Sequence, residues 1–179
     1  NKVLEYHIAK KADITVVCKE LDDSEDASRF GTIKMDDSMR IEEFEEKPMV
    51  AHSHTISTGI YVVRRRLLID LIEHCAEEDR YDFVTDILIR YKNLKKIYGY
   101  KIKDYWSNIS TVDAYYRTNM DFLRPEVRNI SSNSARRLFQ SQRSAPAKYN
   151  PGSVVKNSLV ASGSIINGTV ENSILFKKR

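Results

Sequence analysis

A strand that ends at a proline, a polar loop and a strand that contains a glycine follow one another in residues 44–63. Pro48 has no N–H to donate to a β-ladder, so the first strand should end just before it. Lys47 therefore stands at a strand end beside the carboxylate of Glu46, a position from which a side chain can reach into a cleft. In the second strand Gly59 lacks a Cβ, which lets a ligand or another backbone approach closely.

Strand and helix patterns alternate through the first 123 residues. Short apolar or alternating runs predict strands at 14–18, 30–35, 40–45, 60–63 and 96–102, and the second and third of these form a hairpin. Apolar residues at helical spacing predict helices at 2–11, 65–77, 81–88 and 111–123. In the first helix the residues expected on one face are Val3, Leu4, His7 and Ile8.

Strands that alternate with helices predict an α/β domain with a mostly parallel sheet. Ligands of such sheets bind at the carboxyl ends of the strands, and Lys47, Asp82 and Trp106 fall at these ends. Asp82 is also a candidate N-cap of the third helix, as Ser110 or Thr111 is of the fourth.

The composition is that of a globular protein with a charged surface, with 41% hydrophobic and 30% charged residues. No run approaches the ~18 apolar residues of a membrane helix. The net charge of +4 is spread and interleaved with acids, without the aromatic residues of a stacking platform, which argues against nucleic-acid binding. Cys18 and Cys75 are isolated in apolar segments, so we expect buried free thiols and a reducing, cytoplasmic location.

The pattern changes after residue 123. Residues 124–150 lose periodicity and are rich in Ser, Arg and Asn, which indicates a linker. Beyond Pro151, apolar residues recur every six positions in two series, Val154, Val160 and Ile166, and Leu159 and Ile165. Such a period, with glycines between, predicts the start of a parallel β-helix over 151–179. An ordinary β-meander is the alternative.

Six segments follow one another along the chain: A-S-R-F-G at 27–31, F-E-E-K-P at 44–48, S-T-G-I-Y at 57–61, Y-D-F at 81–83, Y-W-S-N-I-S-T at 105–111, and D-A-Y at 113–115 with N-M-D-F-L at 119–123. In this order they resemble motifs of the ADP-glucose pyrophosphorylase (glucose-1-phosphate adenylyltransferase) family. The resemblance covers nearly the whole chain. It implies the second half of a GT-A-like, partial Rossmann-type nucleotidyltransferase domain over 1–123, and a left-handed β-helix that begins at 151.

The resemblance also implies a site for glucose 1-phosphate. Lys47 would hold the phosphate, since an ammonium brings a compact charge and three donors. The groups implied to meet the sugar hydroxyls are Glu46, Ser57 and Asp82. The residues implied to shape the pocket are Tyr61, Phe83 and Trp106, with Gly59 in the strand that lies along the ligand.

Two departures from the family's pattern bear on catalysis. The family reads Y-W-R-D-V-G-T where this chain has Ser107, Asn108 and Ser110, and the aspartate is there a ligand of Mg²⁺. Asn108 offers a neutral oxygen at this metal position, whereas Mg²⁺ favours anionic ones. The family's Gly-rich nucleotide loop, G-x-G-x-R-L, is not in the sequence, so we expect that an N-terminal nucleotide-binding half is missing.

These departures resemble the GlgD-type subunit, the regulatory or weakly catalytic partner of the catalytic GlgC-type subunit in bacterial glycogen synthesis. The resemblance implies ADP-glucose formation from ATP and glucose 1-phosphate in a hetero-oligomer or by self-association, with Mg²⁺ as the family's cofactor and weak binding of it by this chain. Alternatives are a nucleotidyltransferase that makes a GDP-, dTDP- or UDP-sugar, and an assembly subunit without turnover. A hexapeptide acyltransferase would need a His near its coils, and none follows His74.

Overall fold

The chain divides into two compact units, residues 1–104 and 105–179, in a computed structural model that describes residues 2–22, 25–132 and 145–176. The first unit is built on a five-stranded sheet with the order β3-β2-β4-β1-β5. Its strands are β1 (Ile14–Glu20), β2 (Gly31–Met35), β3 (Ile41–Glu46), β4 (Thr55–Val63) and β5 (Ile97–Lys101). Its helices are α1 (Lys2–Ala9), a 3₁₀ turn (Ala27–Arg29), α2 (Arg65–Glu77) and a π-helix (Phe83–Ile89).

Strand β1 is buried on both faces because helices cover the sheet on either side. Successive side chains of a strand point to opposite faces. Ile14, Val16 and Cys18 join one core with residues of α2 and the π-helix, among them Leu71 and Leu88. On the opposite face Thr15 is fully buried and meets His7 of α1. The predicted α/β layering is therefore confirmed, and Cys18 and Cys75 are buried free thiols as expected.

The prediction of a mostly parallel sheet was wrong. Among the described strands only β1 and β5 pair in parallel, whereas β1–β4, β2–β3 and β2–β4 are antiparallel. The reason lies in the connections between β1 and β4. Parallel neighbours need a long crossover, usually a helix. Between β1 and β4 the described chain contains a 3₁₀ turn and no α-helix, whereas α2 and the π-helix precede β5, the strand that pairs in parallel with β1.

The inner face of α1 also differs from the predicted one. His7 is buried, but Leu4 and Ile8 expose 42% and 65% of their surface. Polar contacts set the rotation of the helix: the Tyr6 hydroxyl donates to Gly99 O at 2.9 Å, and His7 Nδ1 lies 2.8 Å from Thr15 Oγ1. Hydrophobic spacing alone carries no information about these bonds.

The second unit combines two helices with short parallel strands. Its elements are α3 (Val112–Asp121), α4 (Pro125–Ser132), β6 (Lys148–Tyr149), β7 (Val154–Lys156), β8 (Leu159–Val160), β9 (Ile165–Ile166), β10 (Thr169–Glu171) and β11 (Ile174–Leu175). The strands form three two-stranded parallel ladders, β6–β9, β7–β10 and β8–β11. Part of the predicted linker, residues 133–144, and the end of the predicted β-helix, residues 177–179, lie outside the described residues, and the predicted domain limits stay predictions.

In the part of the chain that the structure describes, no helix is both long and apolar enough to cross a membrane.

Candidate functional site

The end of β3 presents Glu46 and Lys47, as the position of Pro48 predicted. Lys47 follows the last residue of the strand and has a φ of 45°, in the left-handed region. Its backbone N–H donates to Phe30 O at 3.2 Å. Its Nζ lies 3.9 Å from Glu46 Oε1, and the side chain is 69% exposed. The lysine is therefore fixed at its backbone while its ammonium stays open to a ligand.

Gly31 lies directly beneath the carboxylate of Glu46. A Cβ at this position would stand 2.9 Å from Glu46 Oε2 and 2.8 Å from Phe44 Cε1. Both distances are too short for carbon, so the glycine makes room for the carboxylate and the ring. The sequence assigned Gly31 no role in the site, although it closes the A-S-R-F-G segment at 27–31.

Strand β4 bulges where it carries the predicted site residues. Val16 pairs with Tyr61 and Cys18 with Ser57, so three residues of β4 oppose the single residue between them on β1. Ser57 Oγ lies 3.4 Å from the Tyr61 hydroxyl and accepts the N–H of Gly59 at 3.3 Å. The bulge thus brings the two hydroxyls, four residues apart in sequence, to one place.

Gly59 serves the bulge through its backbone conformation rather than through close approach. Its φ is +76°, which glycine adopts without steric cost. Nothing lies within 4 Å of the position that a Cβ would take. Of the two contacts expected from the sequence, close approach of another backbone is therefore not seen, and a ligand contact at Gly59 stays a prediction.

Asp82 and Phe83 reach the same place from the start of the π-helix. Asp82 is the N-cap, as predicted, and its Oδ1 accepts the N–H of Thr85 at 2.6 Å. The Phe83 ring packs on that of Tyr61 with 4.9 Å between centroids and an interplanar angle of 50°. This ring contact joins the π-helix to the bulge of β4.

The electrostatics show that these groups influence one another. The hydrogen bond from the Thr85 backbone lowers the pKa of Asp82, and the charge of Lys47 contributes to the shift. Burial raises the pKa of Tyr61, and the carboxylates of Glu46 and Asp82 add to the rise. The site therefore brings together the amino group of Lys47, the carboxyl groups of Glu46 and Asp82, and the phenol of Tyr61. Such a set can bind a phosphate and accept hydrogen bonds from hydroxyls.

The nucleotidyl transferase family model matches residues 1–124 of this chain. The chain belongs to the nucleotidyl transferase family. Among curated proteins it is similar to the glucose-1-phosphate adenylyltransferase of Thermosipho melanesiensis, with 35% identity over 178 residues, which cover 98% of this chain and 43% of the relative. The enzymes of the same name from Pseudothermotoga lettingae and Bacillus cereus (strain Q1) are each 34% identical over 181 residues, 99% of this chain and 43% and 48% of theirs. This nucleotidyl transferase chain thus spans a little under half the length of these relatives.

The other two predicted site residues of this nucleotidyl transferase, Trp106 and Asn108, belong to the second unit. They lie in the segment before α3, which is anchored on that helix by Tyr105 Oη donating to Asp121 Oδ2 at 2.8 Å and by Ser107 Oγ, 2.6 Å from Thr118 Oγ1. Trp106 is half-buried and Asn108 is exposed. Their part in the site stays a prediction.

The predicted metal position carries no anionic ligand. Among the residues that the structure describes, no group of three or more His, Cys, Asp or Glu side chains could hold a metal ion. Asn108, at the predicted metal position, supplies a neutral amide oxygen, which neutralises none of the charge of the ion.

Proposed function

We propose that the chain forms the sugar-phosphate-binding part of a cytoplasmic glucose-1-phosphate adenylyltransferase subunit, which makes ADP-glucose and pyrophosphate from ATP and glucose 1-phosphate. One observation carries the proposal. An ammonium, two carboxylates and a pair of hydroxyls meet at the end of β3, the bulge of β4 and the start of the π-helix, in a chain whose relatives bear that enzyme's name.

Each group has a role that suits its chemistry. Lys47 holds the phosphate as a charge-assisted donor. Asp82 is a carboxylate at neutral pH, a state that its lowered pKa reinforces, and it accepts hydrogen bonds from sugar hydroxyls, as do Glu46 and Ser57. Tyr61 has a raised pKa and stays protonated, and it packs with Phe83 into an aromatic wall for the apolar side of the sugar ring. Trp106 is assigned to the pocket only because its segment, residues 105–111, resembles the corresponding motif of the family.

The subunit that we propose is of the GlgD type and acts beside a GlgC-type catalytic partner. The support is the chemistry at Asn108, because a transferring phosphoryl group needs the charge of a tightly held Mg²⁺. Among the described residues no group of three or more His, Cys, Asp or Glu side chains could hold a metal ion, so we assign this chain no step that relies on a metal of its own.

The second unit is proposed to begin a left-handed β-helix. Three parallel ladders, each made of two strands that come from successive stretches of chain, support this. Stacked coils of a solenoid produce this arrangement, in which each strand pairs with its equivalent in the next repeat.

The test of the sugar-phosphate site is Lys47→Ala, with Lys34→Ala as the matched control. Lys34 is a similarly exposed lysine on β2, paired with Glu43 at 3.3 Å. Loss of one charge-assisted contact should weaken glucose 1-phosphate binding about ten- to hundredfold, whereas the control should bind normally. Isothermal titration of both variants measures this. Equal affinities in Lys47→Ala and the unmodified chain would refute the assignment.

The test of the subunit role is turnover of a protein that carries this chain together with a nucleotide-binding half. Loss of one electrostatic element typically costs on the order of 10²–10³ in rate, so this protein alone should be slow with glucose 1-phosphate and ATP. Addition of a GlgC-type subunit should restore turnover. A kcat of ~10 s⁻¹ without the partner would contradict the weak-subunit proposal. Parallel assays with GTP, dTTP and UTP distinguish the alternative sugar nucleotides.

A further inference from the structure

Asp86 is a buried carboxylate in the π-helix to which the proposed function assigns no role. The residue is 8% exposed, and a buried charge is tolerated only where it is paired and hydrogen-bonded. Its Oδ2 accepts the backbone N–H of Asp82 at 3.0 Å, and its Oδ1 accepts from Arg80 Nη1 at 3.3 Å. Both partners lie just before the helix: Asp82 is its N-cap, and Arg80 stands two residues earlier.

The two aspartates share the capping of the first turn of the helix. The side chain of Asp82 accepts the N–H of Thr85, three residues on, and the side chain of Asp86 accepts the N–H of Asp82. This is the reciprocity of a capping box, in which the returning side chain normally comes from the third helical position. Here it comes from Asp86, the fourth residue after the N-cap.

Asp86 also binds the backbone carbonyl of Asp82. Its own N–H donates to Asp82 O at 2.9 Å, so one residue binds both the N–H and the C=O of Asp82. The carboxylate of Asp82 and the neighbouring Phe83 ring, which packs on Tyr61, are the two groups of the π-helix that face the proposed sugar site. A residue that fixes the Asp82 backbone fixes the direction of both.

We propose that Asp86 is a positioning residue for the sugar of glucose 1-phosphate, and that it acts through Asp82. The inference rests on the proposed function of the site. The phosphate contact at Lys47 comes from β3 and does not depend on this cap. Asp86 therefore governs recognition of the hydroxyls and leaves recognition of the phosphate unchanged.

The experiment compares Asp86→Ala with Asp86→Asn by titration with glucose 1-phosphate and, as a probe of Lys47, inorganic phosphate. Alanine removes both acceptors, so affinity for glucose 1-phosphate should fall about tenfold, whereas affinity for phosphate should not change. Asparagine keeps one acceptor oxygen. We expect this oxygen to accept the Asp82 N–H, because Arg80 has another partner in Glu78 at 3.1 Å. The Asp86→Asn variant should therefore keep its affinity for glucose 1-phosphate within about threefold of that of the unmodified chain.

A double-mutant cycle shows whether Asp86 acts through Asp82. In an Asp82→Ala background, Asp86→Ala should cause a clearly smaller loss of affinity for glucose 1-phosphate than in the unmodified chain, because the carboxylate that it positions is gone and the Phe83 ring alone remains to be displaced. A purely structural role would instead add its own loss in both backgrounds. The inference would be overturned if the losses of affinity in the cycle were additive. It would also be overturned if Asp86→Asn lost as much affinity as Asp86→Ala, or if the affinity for phosphate fell together with that for glucose 1-phosphate.

Amide hydrogen exchange of Asp82 separates failure of this inference from failure of the proposed function. The exchange should be faster in Asp86→Ala than in Asp86→Asn and the unmodified chain, whatever the ligand of the site. Absence of glucose 1-phosphate binding by the unmodified chain would overturn the proposed function and, with it, the sugar role of Asp86. Normal binding with unchanged affinity in Asp86→Ala would overturn the inference alone.

Discussion

Lys47 has a backbone conformation that non-glycine residues rarely adopt. A left-handed φ costs an L-residue about 1–2 kcal/mol, and here the bond from the Lys47 N–H to Phe30 O helps to hold it. Residues held in such conformations cluster at ligand sites, where the surrounding structure over-determines them. The conformation of Lys47 therefore supports its proposed role at the phosphate, independently of the resemblance of its motif.

His7 makes the stability of the first unit depend on pH. Burial lowers the pKa of this imidazole below its ordinary 6.5, with help from the charge of Arg64 and against the charge of Asp13. The folded chain therefore keeps His7 neutral where the unfolded chain binds a proton. Since the unfolded state takes up more protons, the free energy of unfolding should be at its full value above pH 6.5 and should fall as the pH is lowered below it.

We predict that His7→Gln reduces this slope. Glutamine can still hydrogen-bond Thr15 but does not titrate. Urea unfolding at several values between about pH 7 and pH 5 measures the effect, with Thr15 retained in both proteins. The same dependence on pH in the variant and the unmodified chain would show that another group is responsible.

At the scale of elements, the sequence predicted where most helices and strands lie. The bounds of α2, the hairpin of β2 and β3, and the caps at Asp82 and Thr111 all agree with the structure, because each depends on a local pattern. The predicted positions of Lys47 and Asp82 at element ends were therefore confirmed, while their roles in the site stay predictions. The bulge of β4 and the π-helix were not, since each arises from pairing or packing with a partner distant in sequence.

Strand β3 of the hairpin also has a feature that depends on its pairing with β2 and that the local sequence does not reveal. Ile41 and Phe44 are both buried although they are three residues apart, which strict alternation forbids. Lys34 pairs with Glu43 and Met35 with Ile41, so Glu42 is an extra residue that shifts the register and turns both apolar side chains to the core. A sequence pattern signals that Ile41 and Phe44 are apolar, but only the pairing with β2 places both on one face.

We predict that Gly31→Ala disturbs β2, β3 and the site together. The new Cβ would lie 2.8 Å from the buried Phe44 ring, which cannot yield as the flexible Glu46 carboxylate can. Overpacking of this kind costs about 1–3 kcal/mol. Displacement of Glu46 should also weaken glucose 1-phosphate binding. Denaturant unfolding and titration measure the two effects.

The matched comparison for Gly31→Ala is a cycle with Phe44→Leu. A smaller side chain leaves room for the Cβ, so the double variant should lose less stability than the sum of the single ones. Strictly additive losses would show that the Phe44 contact is not the cause.

At the scale of the whole molecule, the second unit contains a repeat that six-residue spacing does not describe. Leu159 pairs with Ile174 and Val154 with Thr169, so partners lie 15 residues apart, whereas Lys148 pairs with Ile165. The sequence carries this repeat as V-K-N-S-L-V at 155–160 and V-E-N-S-I-L at 170–175. The six-residue series instead marks positions on successive strands.

The asparagines of this repeat mark its corners. Asn157 and Asn172 have φ values of 40° and 47°, and Asn157 Nδ2 donates to Asn172 Oδ1 at 2.8 Å. Asparagine tolerates the left-handed region better than most residues. The sequence therefore contained the asparagines that form these turns. Their 15-residue spacing could be recognised as the repeat only once the pairing of the strands was known.

These ladders should not be stable on their own. In the described residues 145–176, Ile166 is the only buried side chain, and the three ladders join two strands each. Segments of fewer than about 40 residues rarely bury enough surface to offset their chain entropy. We predict that a peptide of residues 145–179 gives no cooperative thermal transition by circular dichroism, whereas the whole chain melts cooperatively in the same scan. A sharp melt of the peptide would mean that two stacked repeats suffice as a folding unit, and that the second unit owes its stability to the ladders rather than to α3 and α4.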